Sequence, residues 1–122
     1  MDYDKDYFSK KPAPFLEVEI SDPKSIQTTS EDAILDSGSF ISTIPPHIAE
    51  ELPLTIRGNP IPIYGELKET VYVCLSFLEF SFYKRIALWK LPKGHAVIGR
   101  DILNELKVVL DGKNFNFEII DC

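Results

Sequence analysis

Several things are scarce in this chain, and each scarcity narrows what it does. Basic residues are outnumbered: 13 Lys and Arg stand against 19 Asp and Glu, for a net charge of -6. Nucleic-acid phosphates demand a basic face, so nucleic acid is not an expected partner. No apolar run approaches the roughly 20 residues needed to span a bilayer. The leading Met1-Asp-Tyr-Asp-Lys-Asp-Tyr7 is acidic, where a signal peptide is basic and then apolar, so no membrane partner is expected either. The only cysteines are Cys74 and Cys122, without a disulfide framework or a metal-ligand spacing. Cys74 lies in a strand-like run and reads as a small buried apolar residue. A reducing, cytoplasmic compartment is the simplest expectation. The two histidines, His47 and His95, stand apart and read as surface residues, so no metal and no cofactor are expected. Internal repeats and low-complexity tracts are absent.

What is present is an ordinary globular composition, with 44% hydrophobic and 26% charged residues over 122 positions. One domain over residues 15–122 is expected, behind a flexible N-terminal arm of residues 1–14 that is polar, charged and punctuated by proline. Phe15-Leu-Glu-Val-Glu-Ile20 alternates as a half-buried strand does. Ser25 to Ser30 reads as a polar connection. Ala33 to Leu35 is a short apolar strand. Pro45-Pro46 suits the start of a helix over His47–Leu52. Residues 57–64 hold Gly58, Pro60 and Pro62 and must be extended and irregular. Thr70–Phe77 and Phe80–Trp89 are strand-like, with a turn near Leu78-Glu79. Ala96–Ile98 is a second short apolar strand, and Arg100–Leu106 has helical spacing. Val108–Leu110 and the alternating Phe115, Phe117 and Ile119 flank an Asp111-Gly112 turn signal. Many short strands with one or two short helices predict an all-β, barrel-like domain.

The feature that carries chemistry is Asp36-Ser37-Gly38, set in Ala33-Ile-Leu-Asp-Ser-Gly-Ser-Phe-Ile-Ser-Thr-Ile44. A carboxylate that ends an apolar strand and sits on a glycine turn can be held at the bottom of a cleft. All three residues favour ordinary turns, so context decides, and the context is apolar on both sides. A second element, Val97-Ile-Gly-Arg-Asp-Ile-Leu103, repeats the logic of apolar strand, glycine and short amphipathic helix. The tripeptide occurs once, whereas an acid–base pair needs two carboxylates, so two chains are expected to meet.

With these two motifs in order, and a glycine- and proline-containing segment plus a strand pair between them, the chain resembles the retropepsins, the aspartic proteases of retroviral type. The resemblance covers roughly residues 15–120. It implies a small closed barrel active as a two-fold dimer. In it Asp36 is catalytic, Ser37, Gly38 and Ser39 support the catalytic loop, and Gly99, Arg100 and Asp101 are structural supports. It also implies a flap, for which Ile63, Tyr64 and Gly65 are the candidate residues, with Gly65 as the tip and Gly58 as its competitor. The final strand, Phe115 to Ile120, would join the dimer sheet. A hydroxyl at Ser39 that donates to the carboxylate would favour its charged form and an acidic optimum. The chain departs from viral members at Phe40, where an acidic partner for the arginine often stands. Arg100 therefore lacks its usual partner, and Phe40 is expected to line or floor a substrate subsite.

The implied function is a homodimeric aspartic endopeptidase that cuts polypeptides near apolar side chains, with itself and its substrate as partners. The alternative is a non-catalytic dimeric module of the same fold that binds peptide or protein. A third reading is a protease restricted to itself or one partner, with residues 1–14 as a processed or regulatory arm.

Overall fold

Alternation of apolar and acidic side chains shapes the first strand. In β1 (Phe15–Ser21), Val18 and Ile20 are fully buried while Glu17 and Glu19 face solvent. β1 pairs antiparallel with β2 (Thr28–Leu35), from Phe15 opposite Ile34 to Ser21 opposite Thr28. Residues 28–30, expected in a connection, are therefore strand. Ladder pairing with β1 overrides their polar character, with Thr28 and Ser30 exposed and Thr29 half-buried opposite Ile20. The computed structural model describes residues 1–4, 13–24, 27–92 and 94–121. Ser25, Ile26 and Cys122, about which expectations were stated, lie outside them.

The remaining elements are β3 (Thr43–Ile44), α1 (Pro46–Glu51), β4 (Ile61–Ile63), β5 (Glu66–Lys68), β6 (Thr70–Phe77), β7 (Phe80–Leu88), β8 (Ala96–Ile98), α2 (Arg100–Leu103), β9 (Leu106–Asp111) and β10 (Asn116–Asp121). Six strands close a barrel in the order β1-β2-β8-β3-β7-β6. Two hairpins stand outside it, β4–β5 and β9–β10. Inside the barrel, Val71, Val73, Leu75 and Phe77 of β6 alternate inward against Val18, Ile20, Ile86 and Ile98. The β6–β7 turn is Leu78-Glu79, closed by Phe77 opposite Phe80, with Leu78 at φ +54°. α1 starts on Pro46, whose missing N–H costs nothing at a helix start, and turns Ile48 into the core.

Two boundaries differ from expectation. α2 ends at Leu103, and Leu106 opens β9 instead of extending the helix. The spacing of Ile102, Leu103 and Leu106 suits a helix face, but hairpin pairing of Leu106 with Asp121 takes over. Asp111-Gly112 is not a two-residue turn: residues 112–115 form the turn between Asp111 and Asn116. The Asp111 carboxylate accepts from the Asn114 backbone N–H at 3.2 Å and from its Nδ2 at 2.9 Å.

Residues 5–12, most of the expected arm, are outside the described residues. Its described ends are tied. Phe117 donates to the Met1 carbonyl, Tyr3 to that of Phe115, and Asp4 and Ala13 exchange backbone hydrogen bonds. Among the described residues no helix is long and apolar enough to cross a membrane.

Candidate active site

The parallel pairing of β2 and β8 aligns Leu35 with Ile98, so the two motifs leave the barrel side by side. Asp36 donates its backbone N–H to the Ile98 carbonyl at 3.0 Å. One residue later the chain turns: Ser39 N–H returns to the Asp36 carbonyl at 3.1 Å, and the Asp36 carboxylate accepts the Gly38 N–H at 2.8 Å. A side chain at position 38 would press on that carboxylate, since a Cβ there falls 3.0 Å from Asp36 Oδ1. The carboxyl group is thus aimed by its own loop and remains half-buried, open to a cleft.

The loop rests on the β8–α2 turn. Gly99 has no room for any side chain: a Cβ would lie 2.7 Å from the Ile41 carbonyl carbon and oxygen and 2.8 Å from the Ser39 oxygen. Arg100 donates its backbone N–H to the Ser39 carbonyl at 2.8 Å. Its guanidinium Nη1 donates to the Ser37 carbonyl at 3.2 Å, so the arginine that lacks an acidic partner at Phe40 holds the Asp36–Ser39 loop by its backbone. Asp101 grips the other end. Its carboxylate accepts the Ser42 N–H at 3.0 and 3.1 Å, the Ser42 hydroxyl at 2.7 Å and the Ile102 N–H at 3.0 Å. Ser42 Oγ in turn accepts the Gly99 N–H at 3.0 Å.

Ser42 is 0% exposed and sits at the centre of this network. It was not singled out from the sequence. A hydroxyl residue inside the apolar run Phe40–Ile44 was the available signal, because a buried hydroxyl needs partners.

The Ser39 hydroxyl donates to the Ile41 carbonyl at 2.6 Å, not to the Asp36 carboxylate. The premise of an acidic optimum set by Ser39 is corrected accordingly. The short reach from Ser39 to the loop's next carbonyl is what claims its proton.

Of the two glycine candidates for a flap tip, Gly65 (φ +79°) lies with Tyr64 in the turn of the β4–β5 hairpin. Gly58 packs against the Arg85 guanidinium instead. Tyr64 takes φ +47°. A left-handed conformation costs a residue of this kind about 1–2 kcal/mol. Ile63 beneath it is buried. Phe40 is 51% exposed and is not among the residues around the Asp36 cleft.

That cleft has a volume of about 220 Å³. It is lined by Asp36 and Ser39, by Ile34 and Val97, which lie side by side on the paired strands β2 and β8, and by Tyr64, Trp89, Leu91 and His95. The Tyr64 and Trp89 rings lie 5.4 Å apart at 57°. His95, expected at the surface, is 6% exposed. It immediately precedes β8 and enters the barrel wall, with Nδ1 3.0 Å from the Ala96 oxygen and its ring edge-on to Phe15 at 5.1 Å. Neither Trp89 nor His95 was expected at the site. His95 arrives through β8, the direct neighbour of β2, and Trp89 through β7, two strands further on. Among the described residues no group of three His, Cys, Asp or Glu side chains is placed to hold a metal ion.

Next to Ser37 runs a second, apolar groove of about 280 Å³ between the Asp36–Ser39 loop and the β9–β10 hairpin, lined by Leu35, Leu103, Leu106, Val108 and Leu110. Leu110 is 55% exposed.

No protein-family model matches the chain, and no curated protein matches it in sequence. Solved structures do. The EIAV protease complexed with an inhibitor superposes with a TM-score of 0.56 at 24% identity, over 80% of this chain and 90% of that one. The retroviral protease-like domain of Ddi1 from Leishmania major gives 0.55 at 17% identity, over 87% and 88%. The architecture is therefore the retropepsin-like fold, with its closed six-stranded barrel and two short helices.

Proposed function

We propose that the chain is an aspartic endopeptidase whose active site is completed by a second copy of itself. The observation that carries this reading is the placement of Asp36. It is the acid group at the end of β2, held by the Gly38 N–H, braced by the Gly99–Asp101 turn, and open to a cleft. A lone carboxylate cannot act as base and acid at once. Two Asp36 side chains meeting across a two-fold axis can. Like charges about 3 Å apart do not both ionise, so the pair shares one proton. One carboxylate takes a proton from a bound water as the water attacks the peptide carbonyl, and the other protonates the carbonyl oxygen. The titration belongs to the pair. The apolar groove beside Ser37 is the natural seat for the second copy, because it adjoins the loop that must face its twin and leaves Leu110 exposed in the single chain. The β4–β5 hairpin then acts as a flap that closes over an extended peptide and excludes water.

A peptide-library digest from acid to neutral pH, with a pepstatin-type inhibitor and the Asp36→Asn variant as controls, tests the reading. Inhibitor-sensitive cleavage that Asp36→Asn abolishes, together with a dimer in sedimentation, supports it. Asp36→Asn that still binds peptide while the native chain never cleaves, even at high concentration, establishes the binding module instead.

A further inference from the structure

The tip of the β4–β5 hairpin is built against local economy. A two-residue turn with both central residues at positive φ favours Asn-Gly, because Asn tolerates the left-handed region. Here Tyr64 occupies the first position at φ +47°, ahead of Gly65 at +79°. Its ring does not repay that by burial, since Tyr64 is 82% exposed. What the ring does is lie on Trp89, 5.4 Å away at 57°. Both rings line the cleft that holds Asp36. Trp89 is fixed: it follows β7 directly, and its backbone N–H donates to the Ile44 carbonyl at 3.0 Å. One half of the pair is anchored to the barrel and the other rides on a hairpin outside it.

Resting on the endopeptidase reading for its site, we propose that Tyr64 and Trp89 are the specificity-determining pair of the cleft, selecting a peptide with an aromatic side chain next to Asp36. The substrate ring lies against the apolar surface that Ile34 and Val97 form side by side, with Trp89 and Tyr64 next to it. Aromatic rings favour tilted and edge-on neighbours over aliphatic ones. The half-buried Trp89 supplies the fixed partner and the exposed Tyr64 the closing one. Tyrosine is kept at a turn position that suits asparagine because its ring is needed there.

Trp89 is the only tryptophan in the chain, so its emission reports the pair directly. In the unliganded protein, Tyr64→Asn, which removes the ring and suits the turn, shifts the Trp89 emission to the red, while Tyr64→Phe leaves it in place. Binding is read by titrating the Asp36→Asn protein with alanine-rich peptides that carry a single Phe or a single Leu. The Phe peptide binds on the order of tenfold more tightly. Adding Tyr64→Asn reduces that ratio toward unity, and Tyr64→Phe restores it. The same peptides are then offered to the native chain for cleavage. Phe-selective binding that depends on residue 64, without cleavage, keeps this proposal and removes the endopeptidase reading. Cleavage with equal kcat/KM for Phe and Leu, or a Phe preference that Tyr64→Asn leaves intact, overturns the proposal and spares that reading. No Trp89 response to any peptide overturns it as well.

Discussion

The floor and the cover of the cleft are built in opposite ways. Around Asp36 most backbone groups of residues 36–42 have a named partner, and a buried hydroxyl, Ser42, is shared between Asp101 and Gly99. Around Tyr64 the hairpin has two strands of three residues, three paired positions and exposed side chains on most of its length. Local opening is cheap where buried apolar contacts are few and costly where a satisfied buried network must break. The difference teaches a division of labour. The proposed endopeptidase accounts for both: an acid group that must be held in one place has an over-determined loop, and a hairpin that would admit a polypeptide is held at its ends and by one ring contact.

The sharpest way to break that contrast is to add one methyl group to the floor. Gly99→Ala drives a Cβ to 2.7 Å from the backbone of Ile41, which is pinned from both sides. The expected loss is on the order of 3 kcal/mol, the upper part of the usual overpacking range, seen in denaturant unfolding as a lower midpoint at unchanged slope. Next in size is Asp101→Ala. It leaves the Ser42 N–H and hydroxyl without their acceptor and costs about 2 kcal/mol. A stability change below about 0.5 kcal/mol for either variant would show that the floor is not over-determined.

What was legible from the sequence follows the same line. Asp36, Ser37 and Gly38 were legible because strand, turn and glycine are contiguous, and Val97–Leu103 because it repeats them. The barrel followed from short apolar strands in number. Ser42 was not legible: its partners are far along the chain, and the β3–β8 pairing, Thr43 opposite Val97, brings them together. Trp89 and His95 were hidden likewise, since only the strand order β2-β8-β3-β7 sets them near Asp36. The strand over residues 28–30 was missed because its residues are polar, and pairing with β1, not apolar alternation, makes the strand. The end of α2 was misplaced because Leu106 fits a helix face and a strand start equally well, and the β9–β10 ladder decides.

The cover should respond differently. Tyr64→Asn removes the ring contact with Trp89, worth about 1 kcal/mol, and relieves a left-handed backbone that costs a similar amount. Global stability is therefore expected to change by less than about 0.5 kcal/mol, while amide exchange in residues 61–68 accelerates. A loss as large as that of Asp101→Ala would mean that the hairpin is as integral to the fold as the floor, and the contrast would fail.

The smallest effect is electrostatic and sharpens the contrast at the hairpin itself. In β5, the Lys68 ammonium lies 2.8 Å from the Glu66 carboxylate. Its hydrogen bond, and then its charge, hold the Glu66 carboxyl below the ordinary glutamate value. A folded-state value below the unfolded one, about 4.3, means that the pair stabilises the hairpin above that pH. The contribution is lost as pH falls through the lowered folded value. Glu66 is exposed, so solvent and salt screen the pair. Lys68→Ala should raise the Glu66 value toward the ordinary range in a carboxyl NMR titration, with the thermal midpoint of the whole chain unmoved. If Lys68→Ala lowered the midpoint at neutral pH and not at acid pH, the hairpin would be contributing to the cooperative unit, and the cover would no longer be the separable part of the site.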